Sequence, residues 1–210
     1  MKNLVFILLF IPLISYSQTD SEFVFQKTFP EQRWSNCISD NNCFSLSWDH
    51  INLTIFYTYG LGGNKQAIDT IGNAGIYGLT LNNFKNEKDN SDVVILKMES
   101  EYVPFFNVYY LKYGKLMKIG EWTISVPRDK YNCEYCDYSI EDIRIHQRND
   151  EIVFSFLKEV EFVVYSKYYD YDDGDTRLFY NYDDWGTFKA GELKVSFNIV
   201  DRSLKVIERD

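Results

Sequence analysis

Histidine is rare in this chain, with only His50 and His146 among 210 residues. No HExxH motif, no histidine pair at metal-binding spacing and no Gly-x-Ser-x-Gly motif occurs. The sequence therefore lacks the signatures of zinc-dependent proteases and of α/β-hydrolases. A Ser-His-Asp triad or a pair of carboxylates assembles in space rather than along the chain, so both kinds of site stay open.

Long apolar runs are missing after the N-terminus. The stretch from Leu4 to Ile14 is apolar but too short to span a bilayer, and the small residues Ser15 and Ser17 precede Gln18. This pattern is typical of a secretory signal peptide with cleavage before Gln18. We therefore expect residues 1–17 to be removed on export.

Removal of the signal leaves residues 18–210, which we expect to form a single β-rich domain. No later apolar run is long enough for a membrane helix, so no membrane insertion is expected after cleavage. The first cysteine, Cys37, lies too far from the signal to carry a lipid anchor. The predicted location is secreted or periplasmic.

Only four cysteines occur, Cys37, Cys43, Cys133 and Cys136. Export favours disulfides, and three connectivities are open; the simplest joins Cys37 to Cys43 and Cys133 to Cys136. Cross-pairing would close longer loops and constrain the unfolded chain more. A four-thiolate zinc site competes with disulfides, although the first spacing is longer than usual. A redox role for Cys133-x-x-Cys136 requires a βαβ unit, which the sequence does not indicate.

Acidic residues outnumber basic ones by 31 to 22, so the net charge is −9, and −10 once Lys2 leaves with the signal. The excess is concentrated in residues 159–184, which contain eight acids and two basic residues. Such a field repels nucleic acid and anionic membranes and favours a basic partner or cations, besides its contribution to solubility. No nucleic-acid partner is expected.

Short runs of β-branched and aromatic residues separated by turn signals dominate the chain. The clearest are Val93–Met98, Phe105–Lys112 and Leu116–Val126, with Gly114 turning the second into the third. About a dozen such runs predict an all-β fold, an antiparallel meander closed into a barrel or sandwich. A small propeller-like arrangement is the alternative, although no repeat of blade length occurs.

Glycine is spread unevenly, and six of the eleven lie in residues 60–78. The GLGGNK sequence that begins there lacks the Gly-Lys-Ser/Thr ending of a phosphate-binding loop. We interpret this segment as a long loop with a turn of helix near Gln66–Ile71. Long loops in compact domains often carry function, so this one is a second candidate for a binding edge.

The most distinctive segment is rich in tyrosine and aspartate and runs from Glu161 to Asp184. Asp173-Gly174 between two strand-like flanks predicts a type I′ hairpin turn, because both of its central residues need positive φ. A two-residue turn then sets the cross-strand pairs: Asp170 with Arg177, Tyr169 with Leu178, Lys167 with Tyr180, and Tyr165 with Tyr182.

Alternation along these strands places five tyrosines on one face: Tyr165, Tyr169, Tyr171, Tyr180 and Tyr182. The face is either core or an exposed platform for a sugar or an extended peptide, which tyrosine suits because its rigid ring ends in a hydrogen-bonding hydroxyl. We expect burial to fall from Tyr165 toward Tyr171, which is next to the turn. The candidate ligand-binding residues are Tyr169, Tyr171, Tyr180, Asp170, Asp172 and Asp175.

The acidic turn brings Asp172 opposite Asp175, an arrangement of like charges that solvent or a bound cation would relieve. The spacing of the acids does not match an EF-hand loop, because Gly174 falls at the fifth position counted from Asp170 rather than at the sixth. No cofactor and no metal is expected, and calcium at this turn is the alternative.

Taken together, the residues predict an exported, non-catalytic binding or interaction protein of the cell envelope or extracellular space. Its partner would be a glycan, a peptide or an envelope protein. The alternative is a secreted hydrolase that acts on envelope or extracellular polymers through paired carboxylates such as Asp170 and Asp183. Convergence of two carboxylates in a lined pocket would favour the hydrolase.

Export and the even number of cysteines predict a mature protein that begins at Gln18 and contains no free thiol. The intact mass of exported protein should match residues 18–210 less the hydrogens lost in two disulfides, and a thiol reagent should not react before reduction. Reduction in denaturant is the positive control. Two or more reactive thiols in the native protein would contradict the disulfide prediction.

Overall fold

The computed structural model describes residues 20–30, 35–48, 52–60, 62–72, 76–100, 104–126, 138–170 and 177–208. These residues contain fifteen β-strands and a 3₁₀ turn at Ile140–Asp142. The strands are β1 Asp20–Pro30, β2 Ser35–Ser39, β3 Asn42–Trp48, β4 Asn52–Tyr59, β5 Lys65–Gly72, β6 Ile76–Asn86, β7 Ser91–Ser100, β8 Phe105–Lys112, β9 Lys115–Ser125, β10 Ile143–Arg148, β11 Glu151–Phe156, β12 Val160–Asp170, β13 Arg177–Phe188, β14 Leu193–Asn198 and β15 Leu204–Glu208.

Eleven strands form one antiparallel sheet in the order β13-β12-β9-β8-β7-β6-β1-β10-β11-β14-β15, and it curls into a half-barrel. The other four form a small sheet in the order β2-β3-β4-β5. The long strand β1 joins the two halves of the large sheet, because Asp20–Phe23 pair with β10 and Val24–Pro30 pair with β6. The predicted all-β, antiparallel fold is confirmed.

The central strands of the large sheet are apolar on both faces, which is why they read as continuous hydrophobic runs. In β7, Val93 and Ile95 belong to the core inside the half-barrel, whereas Val94 and Leu96 belong to a second core on the opposite face. Side chains alternate across a strand, so a run buried throughout needs a covering layer on each side. The curl of the large sheet covers one side and the small sheet covers the other.

Aromatic side chains dominate the core inside the half-barrel. The Trp122 ring lies 5.1 Å from the Phe154 ring and 6.0 Å from the Phe162 ring, measured between centroids, and Phe156 lies 5.9 Å from Phe162. Trp122 and Phe162 come from the neighbouring strands β9 and β12, whereas Phe154 and Phe156 come from β11 in the distant half of the sheet. Such edge and tilted contacts stabilise beyond area burial, so they help the sheet to hold its curl.

Side chains of β4, in the small sheet, alternate between buried and half-buried positions. Leu53, Ile55 and Tyr57 are buried against the large sheet, and the intervening residues are half-buried on the outer face. Cys37 and Cys43, directly opposite each other in β2 and β3, form a disulfide, as in the simplest of the three open connectivities. Cys133 and Cys136 lie outside the described residues.

The interpretation of residues 60–78 as a long loop was wrong. The two glycines with positive φ, Gly60 and Gly62, confine the turn to the start of the segment, and Lys65–Gly72 then pairs with β4 along its whole length. Glycine frequency indicated a loop, but one side of this segment pairs its backbone groups with β4 instead of leaving them to solvent. Within the described residues, no helix is long and apolar enough to cross a membrane.

The tyrosine- and aspartate-rich hairpin has the predicted backbone register. Asp170 pairs with Arg177, Tyr169 with Leu178, Lys167 with Tyr180 and Tyr165 with Tyr182, and a bulge interrupts the ladder between Val164 and Tyr165. The turn itself, residues 171–176, lies outside the described residues, and so do the side chains of residues 163–185. The predicted burial gradient therefore stays a prediction.

Gly120 illustrates how tightly the inner core is packed. A Cβ at this position would lie 2.1 Å from Cζ3 of Trp122, so Gly120→Ala must displace the largest side chain of the core. We expect a loss of about 1–3 kcal/mol in the free energy of unfolding, measured by chemical denaturation. In a Trp122→Leu background the same change should cost much less; an equal cost in both backgrounds would contradict the clash.

Candidate functional site

A groove of about 760 Å³ opens between the small sheet and the β8–β9 hairpin, and we call it the basic groove. Strands β4 and β5 contribute one side, the hairpin contributes the other, and the β14–β15 turn reaches it with one residue. The lining residues are Tyr57, Gln66, Ile68, Tyr110, Lys112, Tyr113, Gly114, Lys115, Leu116, Met117, Lys118 and Arg202.

The lining is basic although the chain is acidic. Four of the described lining residues are cations and none is an acid, whereas acids outnumber cations by 31 to 22 in the whole sequence. Lys115 and Arg202 form no ion pair with any residue that the structure describes, and both are exposed. The charge of the lining therefore differs in sign from that of the whole chain, and Lys115 and Arg202 are its cations without a described carboxylate partner.

Lys112 is held in place by a carboxylate behind the groove. Its Nζ donates to Oδ2 of Asp89 at 2.6 Å, and Ser91 also donates to Asp89 through both its backbone N–H and its hydroxyl. Burial acts to lower the pKa of Lys112, but the hydrogen bond and the charge of Asp89 outweigh it and raise that pKa. The ammonium group is therefore firmly charged and also fixed in direction.

The β8–β9 turn places an aromatic ring at the mouth of the groove. Tyr113 and Gly114 have φ values of 51° and 72°, as the two central residues of a type I′ turn require. The Tyr113 side chain is 78% exposed, and Lys112 Nζ lies 5.5 Å from its ring centroid. Asparagine and glycine usually occupy such positions, so a tyrosine here adopts an unfavourable backbone conformation.

Backbone strain of this kind is concentrated at the groove. The described non-glycine residues with positive φ are Asn90, Tyr113, Asn149 and Arg202. Asparagine tolerates this conformation, whereas tyrosine and arginine do not, and both of the latter line the basic groove. Residues held in sparsely populated conformations cluster at ligand-binding sites, so their coincidence here makes the groove the candidate functional site.

Two tyrosines of β4 hold the turn in place. The Tyr57 hydroxyl lies 2.5 Å from Oδ1 of Asn42 and 3.3 Å from the carbonyl oxygen of Gly114. The Tyr59 ring lies directly against Gly114, where a Cβ would be 2.6 Å from ring atom Cε2. Burial, reinforced by the charges of Tyr59 and Asp92, raises the pKa of Tyr57 to about 12, so its hydroxyl keeps the proton that it donates.

A second cavity of about 380 Å³ lies on the other side of the same turn. Tyr59, Asp92, Lys85 and residues 38–42 line it together with Tyr113 and Gly114. This cavity is polar and includes the loop that the Cys37–Cys43 disulfide closes. Tyr113 thus separates two concave surfaces, and its ring is accessible from both.

Below the groove, a polar cluster connects the two sheets. Oδ2 of Asp69 in β5 accepts hydrogen bonds from Asn107 Nδ2 at 2.9 Å, from the Tyr109 hydroxyl at 3.2 Å and from Lys118 Nζ at 2.5 Å. The same Nζ donates to Oε2 of Glu121 at 2.7 Å. Two carboxylates therefore converge on one ammonium group at the interface between the sheets, and we call these five residues the inter-sheet cluster.

Two β-bulges direct the side chains of Asp69 and Glu121 toward Lys118. The ladder between β4 and β5 shifts register so that Ile68 has no partner and Asp69 lies opposite the buried Ile55. The ladder between β8 and β9 shifts in the same way at Ile119, which brings Glu121 opposite Asn107. A bulge moves the following residues to the other face of a strand. Without these two bulges, neither carboxylate would point into the interface.

Burial stabilises the protonated form of the tyrosine in the cluster. Desolvation, together with the charge of Asp69 and the hydrogen bond to it, raises the pKa of Tyr109 far above its usual value. Tyr109 therefore acts as a permanent donor to Asp69. The side chains of Asp69 and Glu121 are only 11% and 15% exposed, so Lys118, at 30%, separates them from the groove.

The predicted site residues lie in other strands. Tyr169 and Asp170 end β12 and Tyr180 lies in β13, and of these only the backbone is described. Tyr171, Asp172 and Asp175 lie outside the described residues. The basic groove was missed, although Lys112, Lys115 and Lys118 flanking a Tyr-Gly turn form a local basic signal in an acidic sequence. Arg202 could not be found from sequence, because it reaches the groove only through the fold.

Comparison of the chain with protein-family models, with curated proteins and with solved structures finds no match. In the described part of the chain, no group of three or more histidine, cysteine, aspartate or glutamate side chains is arranged to hold a metal ion.

The inter-sheet cluster predicts a graded set of stability changes. Asp69→Asn removes the charge that Lys118 faces and puts an amide donor among other donors, so we expect a loss of about 1–3 kcal/mol in the free energy of unfolding. Tyr109→Phe keeps the ion pair, removes one donor and should cost about 1 kcal/mol. Denaturant titration of both variants measures this, and equal or negligible losses would show that the cluster does not hold the sheets together.

Proposed function

We propose that this chain is an exported, non-catalytic binding protein of the cell envelope or extracellular space, and that its ligand is a glycan held in the basic groove. The observation that carries the proposal is Tyr113, an exposed aromatic residue that occupies a backbone conformation favouring asparagine or glycine. A tyrosine kept in that position costs stability, so a role for its ring accounts for it. A flat, accessible ring suits stacking against a sugar.

The surroundings of Tyr113 support a glycan over an extended peptide. A peptide would bind by adding a strand to a free sheet edge, and β5, the edge strand beside the groove, has a bulge at Ile68. A bulge interrupts the regular row of backbone donors and acceptors that strand addition uses. Side-chain donors and aromatic rings, in contrast, line the groove on three sides.

Export is part of the proposal and has two supports. The first 17 residues have the pattern of a signal peptide. The disulfide between Cys37 and Cys43 is weakly consistent with an extracellular or periplasmic location, because disulfides persist in oxidising compartments. The disulfide closes a loop that borders the second cavity, so oxidation also fixes one wall beside Tyr113.

The alternative function, a hydrolase with paired carboxylates, is favoured by the convergence of Asp69 and Glu121 on Lys118. A general acid needs a proton to give and an open path to the substrate. Asp69 Oδ2 instead accepts from three donors, and neither carboxylate lines the basic groove. These contacts fit a structural connection between the sheets better than a catalytic pair.

Tyr113→Asn separates binding from folding. Asparagine suits the positive φ, so the free energy of unfolding should stay the same or rise by up to about 1 kcal/mol. Loss of the contact between the Tyr113 ring and Lys112 offsets a small part of this gain. Removal of the ring should weaken retardation by soluble polysaccharides in affinity electrophoresis by more than about tenfold, because a tyrosine on which a sugar stacks contributes a large share of the binding energy.

The matched control is Leu157→Asn, which removes an exposed apolar side chain that does not line the groove. It should leave both stability and retardation unchanged. Full retardation of the Tyr113→Asn variant by a polysaccharide that retards the wild type would place the ligand elsewhere. Failure of the wild type to respond to any neutral or acidic polysaccharide in the panel would overturn the proposed function.

A further inference from the structure

We infer, on the basis of the proposed function, that the groove takes an anionic oligosaccharide, whose carboxylate or sulfate groups pair with Lys115 and Arg202 while a sugar ring lies on Tyr113. The inference rests on how the four cations of the groove are used. Two of them are already occupied by carboxylates of the protein, and the other two are not.

The occupied cations are Lys112, bound to Asp89, and Lys118, bound to Asp69 and Glu121. Their ammonium groups are bound to carboxylates that do not line the groove, so they offer little net charge and few hydrogen bonds to a ligand. Lys115 and Arg202 have no described carboxylate partner, and their side chains are exposed at the groove. These two residues are therefore the donors available to an anion.

Arg202 is presented by an ordered turn. Its backbone N–H donates to the carbonyl of Asn198 at 2.9 Å, and Asn198 Oδ1 accepts from the backbone N–H groups of Val200 and Asp201. The neighbouring carboxylate, Asp201, accepts from Ser203 through both the backbone N–H and the hydroxyl. A turn braced in this way fixes the backbone from which the Arg202 side chain extends, which reduces part of the entropic cost of binding.

The two unpaired cations belong to different parts of the fold. Lys115 begins β9 beside the Tyr113-Gly114 turn, whereas Arg202 lies in the β14–β15 turn. Tyr113 and Arg202 both have positive φ and both line the groove. An aromatic ring and a planar guanidinium group in one groove suit a ligand that has both a flat face and an acid group. Arginine binds carboxylate and sulfate oxygens in bidentate fashion, so either acid group satisfies this geometry.

The test compares saccharides that share a backbone and differ in charge. Isothermal titration calorimetry on the full mature protein would use oligogalacturonate, its methyl ester, dextran sulfate and dextran. We expect binding to at least one charged member of each pair to exceed that to its neutral counterpart by about tenfold or more, since charge-assisted hydrogen bonds contribute more than the roughly 1.4 kcal/mol that tenfold represents. The oligogalacturonate and dextran sulfate arms distinguish carboxylate from sulfate recognition.

Lys115→Gln and Arg202→Gln should each weaken binding of the preferred anionic saccharide by about threefold to tenfold. Raised salt should reduce the difference in affinity between the charged saccharide and its neutral counterpart. Lys205→Gln, an exposed cation of β15 outside the groove lining, is the control and should bind like the wild type. Thermal melts of all three variants confirm folding.

The outcomes separate the two levels of the proposal. Equal binding of charged and neutral saccharides would overturn the inference of an anionic ligand. If Tyr113→Asn abolishes that binding, the proposed glycan site in the groove would still be supported. Charged saccharides that bind the Lys115→Gln and Arg202→Gln variants as tightly as the wild type would also overturn the inference, because binding would then be a general surface effect. Binding of none of the four saccharides would overturn the inference, and the polysaccharide panel then decides the proposed function.

Discussion

The double-sided burial of β7 and β8 is the constraint on which the rest of this structure depends. Val93 and Ile95 face one core while Val94 and Leu96 face the other, so these strands cannot lie at the surface of any sandwich with only two layers. The large sheet must curl to cover one face and recruit a second sheet to cover the other. Both cavities and the inter-sheet cluster lie where this second sheet meets the hairpin of β8 and β9.

Polar residues at that junction follow from the same constraint. Where the small sheet ends, the apolar outer face of β8 and β9 continues as Asn107, Lys118 and Glu121, and Asp69 of β5 provides their shared acceptor. Buried polar groups must be paired, and two bulges supply the change of face that makes the pairing possible. The cluster therefore replaces apolar packing at the edge of the interface between the two sheets. Lys118 belongs to the cluster and also lines the basic groove.

Most of the fold could be predicted from the sequence, because its signals are local. Runs of β-branched and aromatic residues and the turn at Gly114 predicted β8 and β9, and Asp173-Gly174 predicted the register that β12 and β13 have. Bulges were the features that local patterns did not reveal. The shift at Ile68 disrupts the alternation of β5, and the glycines before it indicated a loop, so the strand that borders the groove was missed.

The candidate site was harder to predict for a related reason. Tyrosines and acids are densest in residues 161–184, whereas the groove combines residues from four strands and two turns. Only the three lysines around the Tyr113-Gly114 turn were close enough in sequence to be noticed together. Arg202 joins them because the large sheet curls and returns β14 and β15 toward β8 and β9.

Charge segregation explains how an acidic protein can present a basic groove. Asp69, Asp89 and Glu121 lie behind the groove wall and bind Lys112 and Lys118, so these acids anchor lysines rather than face the ligand. The excess of acids elsewhere repels other polyanions over distances of about a Debye length, roughly 8 Å at physiological salt. For the anionic ligand that we propose, Lys115 and Arg202 are the accessible cations of the groove. The net negative charge of the chain opposes anion binding elsewhere on the surface and also slows the approach to the groove, so binding there depends on these two residues.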